Sequence, residues 1–156
     1  MALFDRSLMG QTIGPVSVIL ERGPMLFFAE TIGETNPVHL DPAAAHAAGH
    51  PDILALPTYA VVIASLADKS LARQGRCDSL KRLGADMRYL LHGGESYTYH
   101  APIFAGETVE VTTEFAGVSN AGGGTLEIAR IYQHIVHTDR GPLVTTKRDL
   151  IHKLPK

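Results

Sequence analysis

Tyr59-Ala60-Val61-Val62-Ile63-Ala64-Ser65-Leu66-Ala67 is the stretch that decides the fold. Only Ser65 interrupts its apolar character, and no glycine or proline breaks it. The run predicts a helix with almost no polar face, and a helix apolar all round is buried on most sides. Thr58 stands where an N-cap belongs, the run turns polar after Asp68, and Gly75 ends it. A chain of 156 residues rarely surrounds one helix with other helices alone, so a sheet around it is the expected solution.

The sequence beyond Arg88 supplies such a sheet. Glu95 to His100, Thr108 to Phe115, Leu126 to Thr138 and Leu143 to Leu154 read as strands. Pro102 to Gly106, the Asn120-Ala121-Gly122-Gly123-Gly124 tip and Asp139-Arg140-Gly141-Pro142 supply the turns. Val109, Val111, Thr113 and Phe115 alternate with Thr108, Glu110, Thr112 and Glu114, the signature of a half-buried antiparallel strand. Leu126 to Thr138 carries apolar residues on both faces, which predicts a central strand covered twice. Upstream, Val16 to Leu20 reads as a short strand after Gly14-Pro15, and Met25 to Ile32 as a helix stopped by Gly33. The fold class is therefore α+β: one domain over residues 1–156, an antiparallel sheet wrapped around a long central helix, the hot-dog architecture. Free edges of such a sheet predict a dimer.

Composition excludes several function classes. Hydrophobic residues make up 45% and charged ones 19%, which rules out a disordered chain. No apolar run approaches the ~18–20 residues of a membrane span, and Met1 to Gly10 lacks the apolar segment of a secretory signal. A single cysteine, Cys77, permits no intrachain disulfide, which predicts a reducing cytoplasm. A net charge of −2 leaves no footprint for nucleic acid. Locally, Lys69, Arg73, Arg76, Lys81, Arg82 and Arg88 outnumber Asp78 and Asp86. That run reads either as a solvated surface or as a landing patch for a phosphate-bearing carrier, with Arg73, Arg76 and Arg88 as its candidates.

Chemistry concentrates just ahead of the central helix. Gly33-Glu34-Thr35-Asn36-Pro37-Val38-His39-Leu40-Asp41-Pro42 places a carboxylate, an amide and an imidazole within six residues, on a backbone constrained by Gly33 and Pro37. Asp41 and Pro42 open a short alanine-rich helix that Gly49 ends. A carboxylate and an imidazole together can take a proton from water and deliver one elsewhere. His46 and His50 are four apart, but Gly49 breaks the helix between them and no carboxylate pattern such as His-Glu-x-x-His accompanies them, so no metal is assigned. His92, His100, His134, His137 and His152 fall in or near strands and read as paired structural groups, and Tyr97 and Tyr99 as one face of a strand.

The string from Gly33 to Pro42 resembles the hydratase motif of the MaoC-like family of hot-dog dehydratases and (R)-specific enoyl-CoA hydratases, roughly Gly-Asp-x-Asn-Pro-x-His-x-Asp. Tyr99 to Thr108 resembles that family's Pro-x-x-x-Gly-Asp-Thr junction between strands, and Ala55-Leu56-Pro57-Thr58 the link before its helix. The likeness runs from about Phe27 to Leu154 and is greatest to the MaoC-like N-terminal dehydratase branch. It implies a hydro-lyase acting across the 2,3 double bond of an acyl thioester, with Glu34 and His39 as paired acid and base and Asn36 orienting water or loop. It implies the N–H of Leu56 as oxyanion donor, because Pro57 has none to give. No separate cofactor is implied, CoA or acyl-carrier phosphopantetheine being part of the substrate. The expected assembly is a homodimer, or a heterodimer with a related hot-dog subunit. Glu34 stands in place of the family's aspartate, one methylene longer. Two other readings share the fold: a non-catalytic acyl-binding partner subunit of a heteromeric dehydratase, and a hot-dog acyl thioesterase.

Overall fold

The computed structural model describes residues 3–154. In chain order they form β1 (Thr12–Ile19), α1 (Arg22–Thr31), α2 (Pro42–Ala47), α3 (Tyr59–Arg73), α4 (Ser79–Arg82), β2 (Leu90–Tyr99), β3 (Thr108–Ala121), β4 (Leu126–His137) and β5 (Gly141–Lys153). The strands make one antiparallel sheet in the order β1-β3-β4-β5-β2. This is the hot-dog arrangement, α+β, that the sequence predicts. No helix among the described residues is long and apolar enough to cross a membrane.

Helix α3 lays Tyr59, Ile63, Ala67 and Leu71 into a core shared with Val16 and Val18 of β1, Val109, Val111 and Phe115 of β3, Ile131 and Ile135 of β4, and Val144 and Leu150 of β5. Burying a side chain such as Ile63, fully covered here, contributes about 1.5–3 kcal/mol. The helix is less enclosed than its sequence suggests. Ser65 is exposed and Val61, Val62 and Leu66 are half-buried, because the sheet covers one side only. Thr58 makes no capping hydrogen bond: its backbone is already helical, and the Tyr59 N–H goes to the Leu56 carbonyl.

Several elements run longer than their sequence patterns. Strand β1 begins at Thr12 and carries Gly14 and Pro15 across an irregularity in its pairing with β3. Strand β2 begins at Leu90, with a bulge between His92 and Gly94. The predicted double covering of β4 is corrected: Ala129, Ile131 and Ile135 face the core beside Glu127 and Gln133, while Leu126, Ile128, Tyr132 and Val136 lie on an outer face that no element covers completely. Helix α4 has no counterpart in the sequence reading. Asp78 caps it, and the Asp68 carboxylate ties it to α3 by accepting from the Ser79 N–H at 2.9 Å and its hydroxyl at 2.7 Å. The start of the chain is anchored at Glu127, whose carboxylate accepts from the N–H groups of Leu3 and Phe4 at 2.8 Å each and from Arg6 at 2.8 Å.

Candidate active site

The loop between α1 and α2 is held by its own side chains. Gly33 takes φ 77°, a left-handed conformation that ends α1 and turns the chain outward. Asn36 Oδ1 accepts from the Val38 N–H at 3.2 Å and Asp41 Oδ1 from the Ala43 N–H at 2.9 Å, each followed by a proline at the first helical position. His39 therefore leaves a short 3-10 turn, Pro37–His39, whose start is capped and whose backbone is fixed.

Two further contacts seat that turn on the link before α3. The Leu54 N–H donates to the Val38 carbonyl at 3.0 Å, and His39 Nδ1 lies 2.7 Å from the Leu54 carbonyl oxygen. The link in turn zips to the turn after β2: Leu54 pairs with Phe104, the Ala55 N–H donates to the Ile103 carbonyl at 2.8 Å, and the Ala105 N–H to the Ile53 carbonyl at 3.1 Å. Between these segments lies a cavity of about 500 Å³ lined by His39, by Leu54 to Pro57, and by Tyr99 to Ile103. Its lining is mainly apolar. Tyr99 donates its hydroxyl to the Pro57 carbonyl at 2.9 Å and stacks on Tyr97, ring centroids 5.8 Å apart. Burial, with Glu95 beside it, pushes the Tyr97 hydroxyl up to about 12, so it stays protonated.

The wall from Ala101 to Phe104 is braced from outside. Arg140 donates two N–H groups to the Pro102 carbonyl at 3.0 Å and a third to Glu107 at 2.6 Å, and Glu107 accepts the Phe104 N–H at 3.0 Å. Arg140 also lies over the Phe104 ring. Glu107 belongs to the junction motif; Arg140 sits in a turn and carries no sequence signal for this reach.

The sequence-predicted residues separate into three groups. His39 and Leu56 line the cavity, and the Leu56 N–H makes no hydrogen bond among the described residues. Glu34 and Asn36 stand on the adjoining loop but not in the lining. Glu34 Oε1 accepts from the Asn36 and Thr35 N–H groups at 2.8 Å each. Those bonds hold its carboxyl below the usual value, with a smaller contribution from the nearby His39. Arg73, Arg76 and Arg88 are not among the residues lining the cavity. Arg73 lines a separate groove with Ser17, Glu21, Tyr59 and Ser70. Arg76 is in the exposed turn after α3, and Arg88 is paired with Asp86 at 2.6 Å and lies over Tyr89. Unannounced by the motif, His100 joins the lining from the end of β2.

The chemistry available follows from donor and acceptor roles. A carbonyl oxygen only accepts, so Nδ1 of His39 carries the proton and Nε2 keeps a lone pair. A fixed base, an unused backbone N–H and an apolar cavity together suit proton abstraction beside a carbonyl whose charge is stabilised.

A sheet packed on one central helix, with a histidine-bearing loop over an apolar cavity, is the fold of the hot-dog dehydratases. A family model described as FAS1-like, dehydratase domain region, matches residues 7–147, and the chain belongs to that family. The UPF0336 protein of Streptomyces coelicolor is 34% identical to it over 148 residues, 94% of this chain and 91% of that relative. Among solved structures, the C-terminally truncated HadBC (3R-hydroxyacyl-ACP dehydratase) complex of Mycobacterium tuberculosis superposes with a TM-score of 0.74 at 16% identity, covering 96% of this chain and 99% of that one. The MaoC-like dehydratase of Rhodospirillum rubrum does so with a TM-score of 0.69 at 14% identity, covering 99% of both chains.

Proposed function

We propose that this chain is a hydro-lyase that adds water to, or removes it from, the 2,3 double bond of an acyl thioester. It interconverts trans-2-enoyl and (R)-3-hydroxyacyl groups carried on CoA or on acyl-carrier phosphopantetheine. The observation that carries the reading is the His39 ring, locked by Leu54 with its Nε2 lone pair free, beside the unused Leu56 N–H in one apolar cavity. In hydration, Nε2 takes a proton from water and the oxygen bonds to C3. The π electrons move toward the thioester carbonyl, whose developing charge the Leu56 N–H stabilises. Glu34, close enough to feel the His39 charge, favours the imidazolium that results. Asn36 holds the turn that presents the histidine.

The working assembly is a dimer formed through the free edge of β2, on which Leu91 and Tyr99 are exposed, as are Met87 and Tyr89 just ahead of the strand. A second reading, a non-catalytic partner subunit, draws support from Glu34, which is turned onto its own backbone. Hydration of crotonyl-CoA by the purified chain, followed as loss of enoyl-thioester absorbance, separates the two. Turnover that disappears in His39→Ala supports the hydro-lyase. A lone chain with no turnover that gains it only on mixing with a related subunit supports the partner reading.

A further inference from the structure

A backbone N–H stabilises developing charge only where it is aimed, and a misplacement of about 1 Å can cost up to about 10²-fold in rate. Helix α3 does not aim the Leu56 N–H: the helix begins at Tyr59, and Leu56 lies in the irregular link before it. The peptide that carries this N–H is instead pinned on both sides. Upstream, the Ala55 N–H donates to the Ile103 carbonyl at 2.8 Å. Downstream, the Leu56 carbonyl accepts from the Tyr59 N–H at 2.9 Å, and the Pro57 carbonyl accepts from the Tyr99 hydroxyl at 2.9 Å. Of these three bonds, only the last comes from a side chain.

Pro57 lets that bond reach back to Leu56. Its ring fixes its own φ and restricts ψ of the residue before it, so few torsions stay free between the Pro57 carbonyl and the Leu56 N–H. Tyr99 is itself a fixed donor. Its backbone pairs with Val144 of β5, and the next two residues, His100 and Ala101, donate their N–H groups to the Leu143 carbonyl at 2.8 and 3.2 Å. Its ring stacks on Tyr97 with the two planes 15° apart. Desolvation, with Glu95 nearby, raises the Tyr99 hydroxyl above its ordinary value, so it keeps its proton through the neutral range. Tyr99 and Pro57 both line the cavity, so their bond ties β2 to the link beside the space an acyl group would fill.

We propose that Tyr99 is the positioning residue of the oxyanion donor: by holding the Pro57 carbonyl it keeps the Leu56 N–H aimed at the thioester oxygen. The inference rests on the hydro-lyase reading above. Tyr99 transfers no proton. Its effect is greatest where charge gathers on the oxygen, so it belongs to kcat rather than to KM.

Tyr99→Phe tests this, with His39→Ala measured in parallel. The substitution keeps the stacked ring and removes only the hydroxyl of a half-exposed residue, which leaves the fold intact. It is expected to lower kcat for crotonyl-CoA hydration about tenfold, with KM changed less than threefold. A second readout does not respond to a merely structural role: the infrared carbonyl band of bound butyryl-CoA, carbon-13 labelled at the thioester and without a double bond to hydrate. In the wild type that band is expected below its position in free solution, because the oxygen accepts from Leu56, and in Tyr99→Phe it is expected to move back toward that position. Tyr97→Phe, which loses a hydroxyl on the same face of β2 without touching the link, is the control and is expected to keep both kcat and the band. A folded Tyr99→Phe chain with unchanged kcat, or with the carbonyl band unmoved, overturns the role of Tyr99 and leaves the hydro-lyase standing where His39→Ala has lost turnover. Full turnover in His39→Ala removes the hydro-lyase reading itself, and Tyr99's role with it.

Discussion

The Nδ1 atom of His39 lies 2.7 Å from the carbonyl oxygen of Leu54, fifteen residues further on. One hydrogen bond settles both the tautomer of the ring and its direction. Leu54 can act as an anchor because its own N–H is bonded to Val38 and its strand-like bridge to Phe104 ties it to the opposite wall.

This geometry separates two effects of substitution at position 39. His39→Ala is expected to lower kcat by ~10²–10⁴ and to cost about 1 kcal/mol of stability through the lost bond to Leu54. His39→Asn can still present an N–H to the Leu54 carbonyl but has no basic nitrogen. It is expected to lose as much activity while melting closer to the wild type, which calorimetry and the crotonyl-CoA assay check together.

Glu34 behaves differently. The N–H groups of Asn36 and Thr35 hold its carboxyl below the ordinary carboxylate value, so it is ionised throughout the neutral range and loses its charge only when pH falls through that lowered value. Glutamine at this position keeps an oxygen for the same two N–H groups but loses the charge. Glu34→Gln is therefore expected to fold normally and to reduce kcat about tenfold or less, well short of the His39 variants. A loss equal to that of His39→Ala would instead place the carboxylate in direct contact with the reacting water.

What could be read from the chain, and what could not, divides along physical lines. Local signals held. The apolar run from Tyr59 gave the central helix, the alternation of Val109, Val111 and Phe115 gave the inner face of β3, and the Asp41-Pro42 pair gave the capped start of α2. Features that depend on partners distant in sequence did not. Strand β2 is mostly exposed and bulged at His92 to Gly94, so its first half carries no alternating pattern. Thr58 looks like a cap but has no free helix start to serve. His100, Thr145, His134 and Glu114 sit on four segments, and only the register of the folded sheet brings them into a row. Arg73, Arg76 and Arg88, grouped in sequence, are not among the residues lining the cavity; Arg73 lines a separate groove and Arg88 pairs with Asp86.

Acid stability is expected to centre on Glu127. Burial alone would raise its carboxyl, but the N–H groups of Phe4 and Leu3 and the Arg6 guanidinium outweigh it and leave the carboxyl below its usual value. A group with a lowered pKa in the folded state contributes stability above its unfolded value, near 4.5, and loses that contribution as pH falls through the folded one. Glu127→Ala leaves Arg6 and two backbone donors without their acceptor. It is expected to cost about 3 kcal/mol at neutral pH, or roughly 6–12 °C in Tm. The difference from wild type should shrink as the pH falls through the lowered value of the folded state, where the native carboxylate also protonates.

Arg140 offers the clearest separation of binding from chemistry, because it touches the cavity wall from behind and never enters it. Its guanidinium holds the Pro102 carbonyl and the Glu107 carboxylate, and Glu107 in turn holds the Phe104 N–H. Removing Arg140 leaves Glu107, largely shielded from solvent, without its cation, at a cost of about 1–3 kcal/mol. It also frees the Ala101 to Ile103 segment that lines the cavity. His39, the Leu54 anchor and the Leu56 N–H lie on the other wall, and the Ala55–Ile103 and Ala105–Ile53 backbone bonds that join the two walls do not involve Arg140. Loosening one wall weakens acyl binding in ground and transition states alike, so Arg140→Ala is expected to raise KM about tenfold with kcat within threefold. Arg140→Lys, with one flexible ammonium in place of a planar fork, can satisfy Glu107 or Pro102 but not both in the same geometry, and is expected to fall between. A variant whose kcat drops while KM holds would mean that this brace positions the reacting groups themselves.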